Sequence, residues 1–440
     1  MLSESIAVIA DMDSNVAKTS EKSLYNFQWR SVRALLSGKH IVIATTGSGK
    51  GPTSVVWSYF VAKRTHKQKI LVITTSSKVH VTDSLKRNDF EAEMDEFCPT
   101  GFRKSITLET VSWDLLYKWV GNHSRELGQW IIIADEITKI SGHTTRRGKA
   151  FLKLVEGNKD WAGFTATPGD TWSKFSAYFH ACGLIKNKTE FVRRFCKIQT
   201  FKGFPEIVGY NEEDTLKRWW ERVSYAPNTA QVTTELPAET HKTIPFRCPT
   251  GYRQILKTRK YENKLIDTPS KLTSILRQLC FSKEKKQWVS DFLEAINEPA
   301  LMFYNFIKTG DELEVIAKKV LPKEAKVWRI DGAHHEVPTA ETIGPRDIVL
   351  AQWQSGAEGL NLQMMRLEVF VEPTYAYSTY YQAQGRIRRI GQKRAMFYYS
   401  LVCEKSIDRD VYKCLEDKQS FAEDVWLIGK GLIQAIDKKA

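Results

Sequence analysis

The feature that most constrains the fold is a series of short apolar runs separated by longer amphipathic stretches. Residues 40–44, 70–73 and 130–134 form such runs, and each is followed by glycine, small polar or acidic residues. Residues 53–64 carry apolar side chains at helical spacing. A second set of apolar runs lies at residues 301–304, 327–330, 347–350 and 367–371. Alternation of this kind is typical of parallel sheets covered by helices, so we predict an α/β fold of two lobes, each built on a parallel sheet.

The two sets of runs also suggest where the chain divides. Residues 236–240 form a short segment with a proline between the two sets. We therefore expect a first domain at residues 1–240 and a second at residues 241–440. Within the first domain, residues from about 170 to 235 are aromatic and basic, and their pattern predicts a mostly helical insertion.

The charge balance points to a polyanionic partner. The 440 residues include 65 Lys and Arg against 51 Asp and Glu, a net charge of +14. Such an excess is not needed for folding and favours nucleic acid as a partner. The alternative is a basic surface without special use. At 42% hydrophobic and 26% charged residues, the composition excludes a disordered chain.

Cysteine usage and hydropathy predict an intracellular protein. The seven cysteines are odd in number and widely spread, so we expect neither a disulfide framework nor a structural zinc site. The N-terminal residues do not resemble a secretory signal. No apolar stretch approaches the ~20 residues that a membrane helix needs, and we expect a soluble, cytoplasmic chain without a membrane partner.

The sharpest local motif is the glycine-rich segment after the first apolar run. It predicts a phosphate-binding loop, because backbone N–H groups and a helix N-terminus converge there and Lys50 reaches the β- and γ-phosphates. The alternative is a glycine-rich turn with an incidental lysine. The predicted nucleotide-binding residues here are Thr46, Gly47, Ser48, Gly49, Lys50 and Gly51.

Gly51 departs from this motif. A serine or threonine is expected after the lysine, because its hydroxyl coordinates Mg²⁺. We expect Mg²⁺ to be held by Asp135, the phosphates and water. The alternative is that the hydroxyl of Thr53 or Ser54 takes over.

Two adjacent acids end the apolar run at residues 130–134. The carboxyl ends of parallel strands are where α/β proteins bind ligands, so we predict that Asp135 and Glu136 lie beside the phosphates. Asp135 is a candidate Mg²⁺ ligand. Glu136 is a candidate for orienting and deprotonating the attacking water, and for the same metal site.

A segment near the C-terminus determines the family resemblance. Residues 381–392, YQAQGRIRRIGQ, resemble the last helicase motif of the Swi/Snf-type ATPases of helicase superfamily 2. Residues 354–362, QSGAEGLNL, resemble the motif that precedes it. The resemblance implies two RecA-like lobes. It also implies that Arg386 and Arg389 act as arginine fingers, because transition-state charge on the γ-phosphoryl requires permanently charged donors.

The resemblance assigns further residues. Gln28 is implied to read the adenine, and Gly359 to contact the nucleotide. Thr165 and Thr167, in the segment GFTATP, are implied to couple the γ-phosphate site to DNA. Thr138 stands where the family usually has a histidine, which is a departure from its pattern.

The implied function is an ATP-dependent DNA translocase or helicase that uses ATP and Mg²⁺ and acts on duplex or branched DNA. The short chain resembles the compact motors that bacteriophages carry, with phage or host replication and recombination factors as conceivable partners. Two alternatives stay open at this point. One is a strand-separating DNA or RNA helicase, and the other is a DNA-binding scaffold that hydrolyses ATP weakly or not at all.

Overall fold

The structure is a computed structural model, and it describes residues 20–79, 87–140, 142–169, 171–201, 204–227, 236–334, 336–356, 360–389 and 391–417. The chain divides into two compact units, Met1–Thr233 and Thr234–Ala440. The predicted domain boundary after residue 240 stays a prediction. In the described part of the chain, no helix combines the length and apolar character needed to cross a membrane.

The first unit alternates strands and helices. Its strands are β1 (Ile41–Ile43), β2 (Lys69–Thr74), β3 (Thr107–Ser112), β4 (Trp130–Asp135), β5 (Trp161–Thr165), β6 (Cys196–Phe201), β7 (Phe204–Tyr210) and β8 (Ser224–Tyr225). Its helices are α1 (Asn26–Leu36), α2 (Lys50–Thr65), α3 (Ser76–Val79), α4 (Asp89–Phe97), α5 (Leu116–Asn122), α6 (Arg146–Val155), α7 (Trp172–Ala181), α8 (Lys188–Phe195) and α9 (Glu213–Val223). Single 3₁₀ turns lie at Arg103–Ser105, Leu127–Gln129 and Ile137–Ile140.

Six parallel strands form the sheet of the first unit in the order β3-β2-β4-β5-β1-β8. Every residue of β4 and β5 is buried, because helices cover both faces of the sheet. Two apolar clusters lie on the opposite faces, one around Ile132 and Phe151 and the other around Ile133 and Phe60. Burial on both faces explains why these strands read as continuous apolar runs in the sequence.

The insertion after β5 differs from the prediction. Helices α7 to α9 lie in it, as its pattern predicts, but Cys196–Phe201 and Phe204–Tyr210 form the antiparallel strand pair β6 and β7. The expectation of a mostly helical segment is therefore wrong for this stretch. This strand pair has a register irregularity at Lys197 and Ile198, and Ile198 is exposed, so its strands lack the clean apolar alternation that would have revealed them.

The second unit repeats the α/β pattern. Its strands are β9 (Glu239–Phe246), β10 (Lys260–Tyr261), β11 (Lys264–Leu265), β12 (Ala300–Tyr304), β13 (Val327–Ile330), β14 (Ile348–Gln352), β15 (Leu367–Phe370) and β16 (Met396–Cys403). Its helices are α10 (Tyr252–Thr258), α11 (Pro269–Leu279), α12 (Lys283–Ala295), α13 (Ile307–Val320), α14 (Trp353–Gly356), α15 (Tyr377–Gln384) and α16 (Ile407–Glu416).

Its main sheet has six parallel strands in the order β13-β14-β12-β15-β16-β9. The two parallel-sheet α/β lobes predicted from the sequence are thus confirmed. All seven cysteines are free, and Cys98, Cys196, Cys280 and Cys403 are buried. Beside Cys280 and Cys403, a fully buried Lys285 donates to Asp408 at 2.7 Å, so this polar cluster is neutralised internally.

Strand β15 contains one unusual residue, Glu368. Its side chain is completely buried, and its two carboxyl oxygens form no hydrogen bond with any part of the chain that the structure describes. Burial raises the pKa of Glu368 well above its usual value, despite the charge of nearby Arg386. The folded state therefore favours the protonated carboxyl.

We expect Glu368→Gln to stabilise the second unit at neutral pH. A carboxyl whose pKa is raised by folding binds more protons in the folded state, so its contribution to stability falls as pH rises above about 4.5, the unfolded value. The variant should be close to wild type at pH 4 and progressively more stable than wild type toward pH 8. Thermal unfolding measured across this range tests the difference, with Glu324→Gln on the surface as the control. A difference that shrinks as pH rises would contradict this account.

Candidate active site

The glycine-rich segment forms a tight loop between β1 and α2. Gly47 and Gly49 both adopt φ = 74°, in the left-handed region that glycine accepts without strain. Thr46 and Ser48 are buried in the loop, and Ser48 closes it by donating to the carbonyl of Thr45 at 2.7 Å. Lys50 begins α2, and its ammonium lies 3.3 Å from the carbonyl of Ala44 and 3.4 Å from that of Thr45. This strand–loop–helix arrangement is the context that phosphate binding needs.

Gln28 contacts the loop directly from α1. Its amide donates to the backbone carbonyls of Ser48, at 3.1 Å, and Gly49, at 3.3 Å. Its side-chain oxygen accepts from the backbone N–H of Tyr25, which caps the start of α1. Gln28 therefore fixes the loop relative to α1, and its predicted reading of the adenine stays a prediction.

Asp135 ends β4 beside the loop and is almost fully buried. One carboxylate oxygen accepts from the hydroxyl of Thr74, at 2.8 Å, and from the ammonium of Lys78, at 2.7 Å. Burial alone would raise the pKa of Asp135, but the ammonium groups of Lys78 and Lys50 hold it below its usual value. Asp135 is thus ionised and already faces cations.

Glu136 follows with an unusual backbone. Its φ of 49° lies in the left-handed region, which is costly for a residue with a side chain. The chain turns there from β4 into the 3₁₀ turn Ile137–Ile140, while the indole of Trp113 donates to the Asp135 carbonyl at 2.8 Å. Strained residues of this kind cluster at functional sites, where the surrounding structure holds them.

The segment carrying Thr165 and Thr167 completes this edge of the sheet. Thr165 ends β5, is fully buried, and accepts from the backbone N–H of Thr167 at 3.1 Å. Its carbonyl accepts from the N–H of Ala44 at the start of the loop, at 3.0 Å. Tyr178 donates to a carbonyl of the same segment, and burial, together with the negative charge of Glu136, raises the pKa of Tyr178. The phosphate loop, the acid pair and the Thr165 segment therefore lie together at the carboxyl edge of the first sheet.

The donors at this edge fit Mg²⁺. The ion prefers oxygen ligands and is usually held by one or two carboxylates together with phosphate oxygens and water. Asp135 offers a buried, ionised carboxylate beside the phosphate loop. The two hydroxyls suggested as substitutes at position 51 donate their protons to backbone carbonyls, Thr53 to that of Gly49 at 2.9 Å and Ser54 to that of Gly51 at 2.7 Å.

In the second unit, the predicted arginine motif follows α15. Arg386 is buried and donates to the backbone carbonyls of Leu360, at 2.9 Å, and Gln382, at 3.0 Å. Arg389 is half-buried, with a contact of 3.3 Å to the Gly385 carbonyl. The roles of both as arginine fingers stay predictions. Gly359, the predicted nucleotide contact in the preceding motif, lies outside the described residues.

Gln392, which ends the arginine motif, has a clear structural role. Its amide donates to the carbonyls of Met365, at 2.7 Å, and Gln363, at 3.0 Å, while its oxygen accepts from the N–H groups of Lys393 and Arg394. The motif is thus tied to the segment that precedes β15.

Comparison with known proteins agrees with these motifs. Residues 284–391 match the helicase conserved C-terminal domain. The human DNA annealing helicase and endonuclease ZRANB3 is 21% identical over 66% of this chain and 29% of its own length. An uncharacterised ATP-dependent helicase of Mycoplasma pneumoniae is 23% identical over 70% of this chain and 31% of its own length. The chain thus spans about a third of the length of these relatives.

A solved structure of the Sulfolobus solfataricus SWI2/SNF2 ATPase core in complex with double-stranded DNA is 16% identical, with a TM-score of 0.42, over 96% of this chain and 95% of that one. That likeness is too low to argue from. The fold is that of an α/β protein with two parallel-sheet units, and the second unit contains the segment that matches the helicase conserved C-terminal domain. The arginine motif and the motif before it resemble those of the Swi/Snf-type ATPases of helicase superfamily 2, and the relatives named above are similar to this chain over about two thirds of its length.

Sequence reasoning gave no role at this edge to Trp113 and did not anticipate the ion pair of Lys78 with Asp135. Lys78 follows β2 within a polar stretch, and nothing in its local pattern indicates that it turns inward. The ion pair could be anticipated only from the position of Lys78 just after β2, which lies next to β4 in the sheet. That inference requires the strand order, which the sequence does not provide.

We expect Lys78→Met to destabilise the first unit at neutral pH by about 3 kcal/mol, because it leaves the buried Asp135 carboxylate without its ammonium partner. A carboxyl with a lowered pKa contributes stability above its unfolded value of 3.8 and loses it as pH falls. The deficit should therefore shrink below pH 4. Denaturant unfolding at pH 7 and pH 3.5 measures both effects.

Lys78→Met/Asp135→Asn is the matched variant for this test, since it removes both charges. It should recover a large part of the loss at pH 7. An unchanged deficit in the double variant would show that Lys78 stabilises the unit in another way.

Proposed function

We propose that this chain is an ATP-dependent DNA motor, which hydrolyses ATP to move along DNA or to remodel it. One observation carries the proposal. The phosphate loop, the acid pair Asp135–Glu136 and the Thr165 segment meet at one edge of a parallel sheet, in a chain whose second unit has a helicase C-terminal domain. The relatives named above are helicases, which supports the same conclusion.

The residues of the first unit have three different roles in the proposed reaction, namely phosphate binding, proton transfer and metal binding. Lys50 and the backbone N–H groups of the loop bind the phosphates and neutralise their charge. Glu136 accepts the proton of the attacking water. Asp135 holds the Mg²⁺ that accompanies ATP, which supplies charge neutralisation at the transferred phosphoryl group when bound.

In the second unit, Arg389 is the candidate for stabilising transition-state charge, and Arg386 for holding the motif in place. The buried guanidinium of Arg386 bonds two backbone carbonyls and lies near the carboxyl of Glu368. Arg389 is more accessible. This division assigns a structural contribution to one arginine and a chemical one to the other.

DNA is the proposed partner. The net charge of +14 suits a polyanion, and binding should weaken steeply with salt because counterions are released from the phosphates. In the first unit, Leu115 and Tyr117 are exposed just after β3, and the guanidinium of Arg146 lies 5.6 Å from the ring of Tyr117. An exposed aromatic next to a cation suits contact with a sugar–phosphate strand.

The deciding experiment is ATP turnover with and without duplex DNA. Wild type should hydrolyse ATP faster when DNA is present, and Glu136→Gln should bind ATP but turn it over at least about 100-fold more slowly, since general base catalysis contributes roughly that much or more. Lys50→Ala is the control that should lose nucleotide binding. No turnover by wild type with any DNA would reject the motor and favour a DNA-binding scaffold. Equal turnover in Glu136→Gln would remove this residue as the base.

Movement and strand separation need a separate assay. Displacement of a triplex-forming strand reports translocation along a duplex, and unwinding of a forked duplex reports separation. We expect displacement of the triplex strand. Unwinding of the fork without triplex displacement would favour the strand-separating helicase.

We expect the two arginines to differ when replaced. Arg389→Ala should lower kcat by about 10³ or more, in the range for arginine fingers, with little change in thermal stability. Arg386→Ala should lower the melting temperature of the second unit, because it leaves the carbonyls of Leu360 and Gln382 without their buried donor. Steady-state kinetics and thermal unfolding of both variants decide this. Equal stability losses would contradict the division of roles.

A further inference from the structure

The space beside Gly51 is filled by a carboxylate. A Cβ atom placed on Gly51 would lie 2.1 Å from Oε2 and 2.3 Å from Oε1 of Glu93. No real Cβ contact is that short, so any side chain at position 51 would displace this carboxylate. Glu93 thus lies where the side chain of a serine or threonine after Lys50 would lie, and Oε2 is shielded from solvent.

Helix α4 presents this carboxylate to the phosphate loop. Phe90, one turn before Glu93 on the same helical face, packs against the ammonium of Lys78, with 5.8 Å from that nitrogen to the ring centre. Lys78 in turn pairs with Asp135. This face of α4 therefore borders both the loop and the acid-bearing strand.

Two other acids of α4, Asp95 and Glu96, form ion pairs with neighbouring segments. Asp95 pairs with Arg87 and Arg103, each at 2.8 Å, and Glu96 with Lys22 at 2.7 Å. These pairs are partly exposed and bind α4 to its neighbouring segments. Glu93 is the acid of this helix that faces Gly51.

We propose that Glu93 is a Mg²⁺-binding residue of the nucleotide site and replaces the hydroxyl that Gly51 lacks. The proposal rests on the proposed ATPase function. Mg²⁺ is commonly held by one or two carboxylates together with phosphate oxygens and water. Asp135 ends β4 beside the phosphate loop, and Glu93 lies against Gly51 at the end of that loop. The hydroxyls of Thr53 and Ser54 donate their protons to carbonyls of their own helix turn, whereas the Glu93 carboxylate fills the space of the missing side chain at position 51.

The proposal also explains why position 51 is glycine. A threonine side chain at position 51 and the carboxylate of Glu93 would compete for one space, so the two positions act as a unit. Gly51 with Glu93 is one solution, and a threonine at position 51 with a small residue at position 93 is the other. Each supplies one oxygen donor to the same place.

The test is the affinity for a fluorescent, non-hydrolysable ATP analogue, measured in EDTA and across a Mg²⁺ titration. Glu93→Gln should not weaken binding in EDTA, because it removes a negative charge beside the phosphate loop. It should raise the Mg²⁺ concentration needed for half of the metal-dependent tightening by about 10- to 100-fold, the usual effect of losing a group that holds or orients a metal. Glu96→Gln, on the same helix, is the matched control and should behave as wild type.

Variants at both position 51 and position 93 provide a second, independent test, which remains decisive if Glu93→Gln folds poorly. Gly51→Thr alone should weaken the Mg²⁺ dependence because the new side chain meets Glu93. Gly51→Thr/Glu93→Ala should restore it, because a hydroxyl then takes the vacated place. Thermal unfolding of each variant shows whether it is folded.

The outcomes separate this proposal from the proposed function. If wild type does not bind the analogue, the ATPase function fails and this proposal with it. If wild type binds with Mg²⁺ dependence but Glu93→Gln shows the same dependence, only the role of Glu93 is overturned. Equal weakening with and without Mg²⁺ would also overturn it, because Glu93 would then position the loop and not the ion.

Discussion

The site depends on the parallel pairing of β5 with β1 on one side and β4 on the other. Ile43 of β1 pairs with Thr165, and Asp135 of β4 pairs with Phe164, so the three strands end within one residue of each other. This register places the phosphate loop, the acids and the Thr165 segment at one edge. A shift in any of these pairings would move a motif away from the others, and no local sequence change could compensate.

Electrostatic interactions then determine which ligands the carboxyl edge of this sheet can bind. A buried, ionised Asp135 is stable only because cations and a hydroxyl surround it, and Lys78 supplies the nearest of these. An ammonium group on this oxygen shows that the position favours positive charge. In the proposed ATPase, Mg²⁺ would share the Asp135 carboxylate with Lys78, which would link nucleotide binding to the segment after β2.

Much of this could be predicted from the sequence, for physical reasons. Strands β1, β2 and β4 are buried on both faces and therefore appear as apolar runs. The phosphate loop and the acid pair are each formed by residues adjacent in the sequence, so their chemistry can be recognised from a short segment. The β6–β7 pair was missed because its strands are irregular and partly exposed.

Glu93 was missed for another reason. Its position opposite Gly51 arises from the packing of α4 on α2, which are separated in the chain by β2 and α3, and only the folded structure brings them together. Likewise, sequence reasoning treated Arg386 and Arg389 alike, whereas burial distinguishes them. Motifs reveal which residues are present, and packing decides what each of them can reach.

The central claim is that the carboxyl edge of the first sheet binds a metal–nucleotide complex. Its most direct test is the position of the ion in crystals grown with Mn²⁺ and ADP, located by anomalous scattering. The account predicts a manganese peak bounded by the carboxylates of Asp135 and Glu93 and the nucleotide phosphates. A nucleotide bound elsewhere, or a peak away from Asp135 with the Lys78 pair intact, would contradict it.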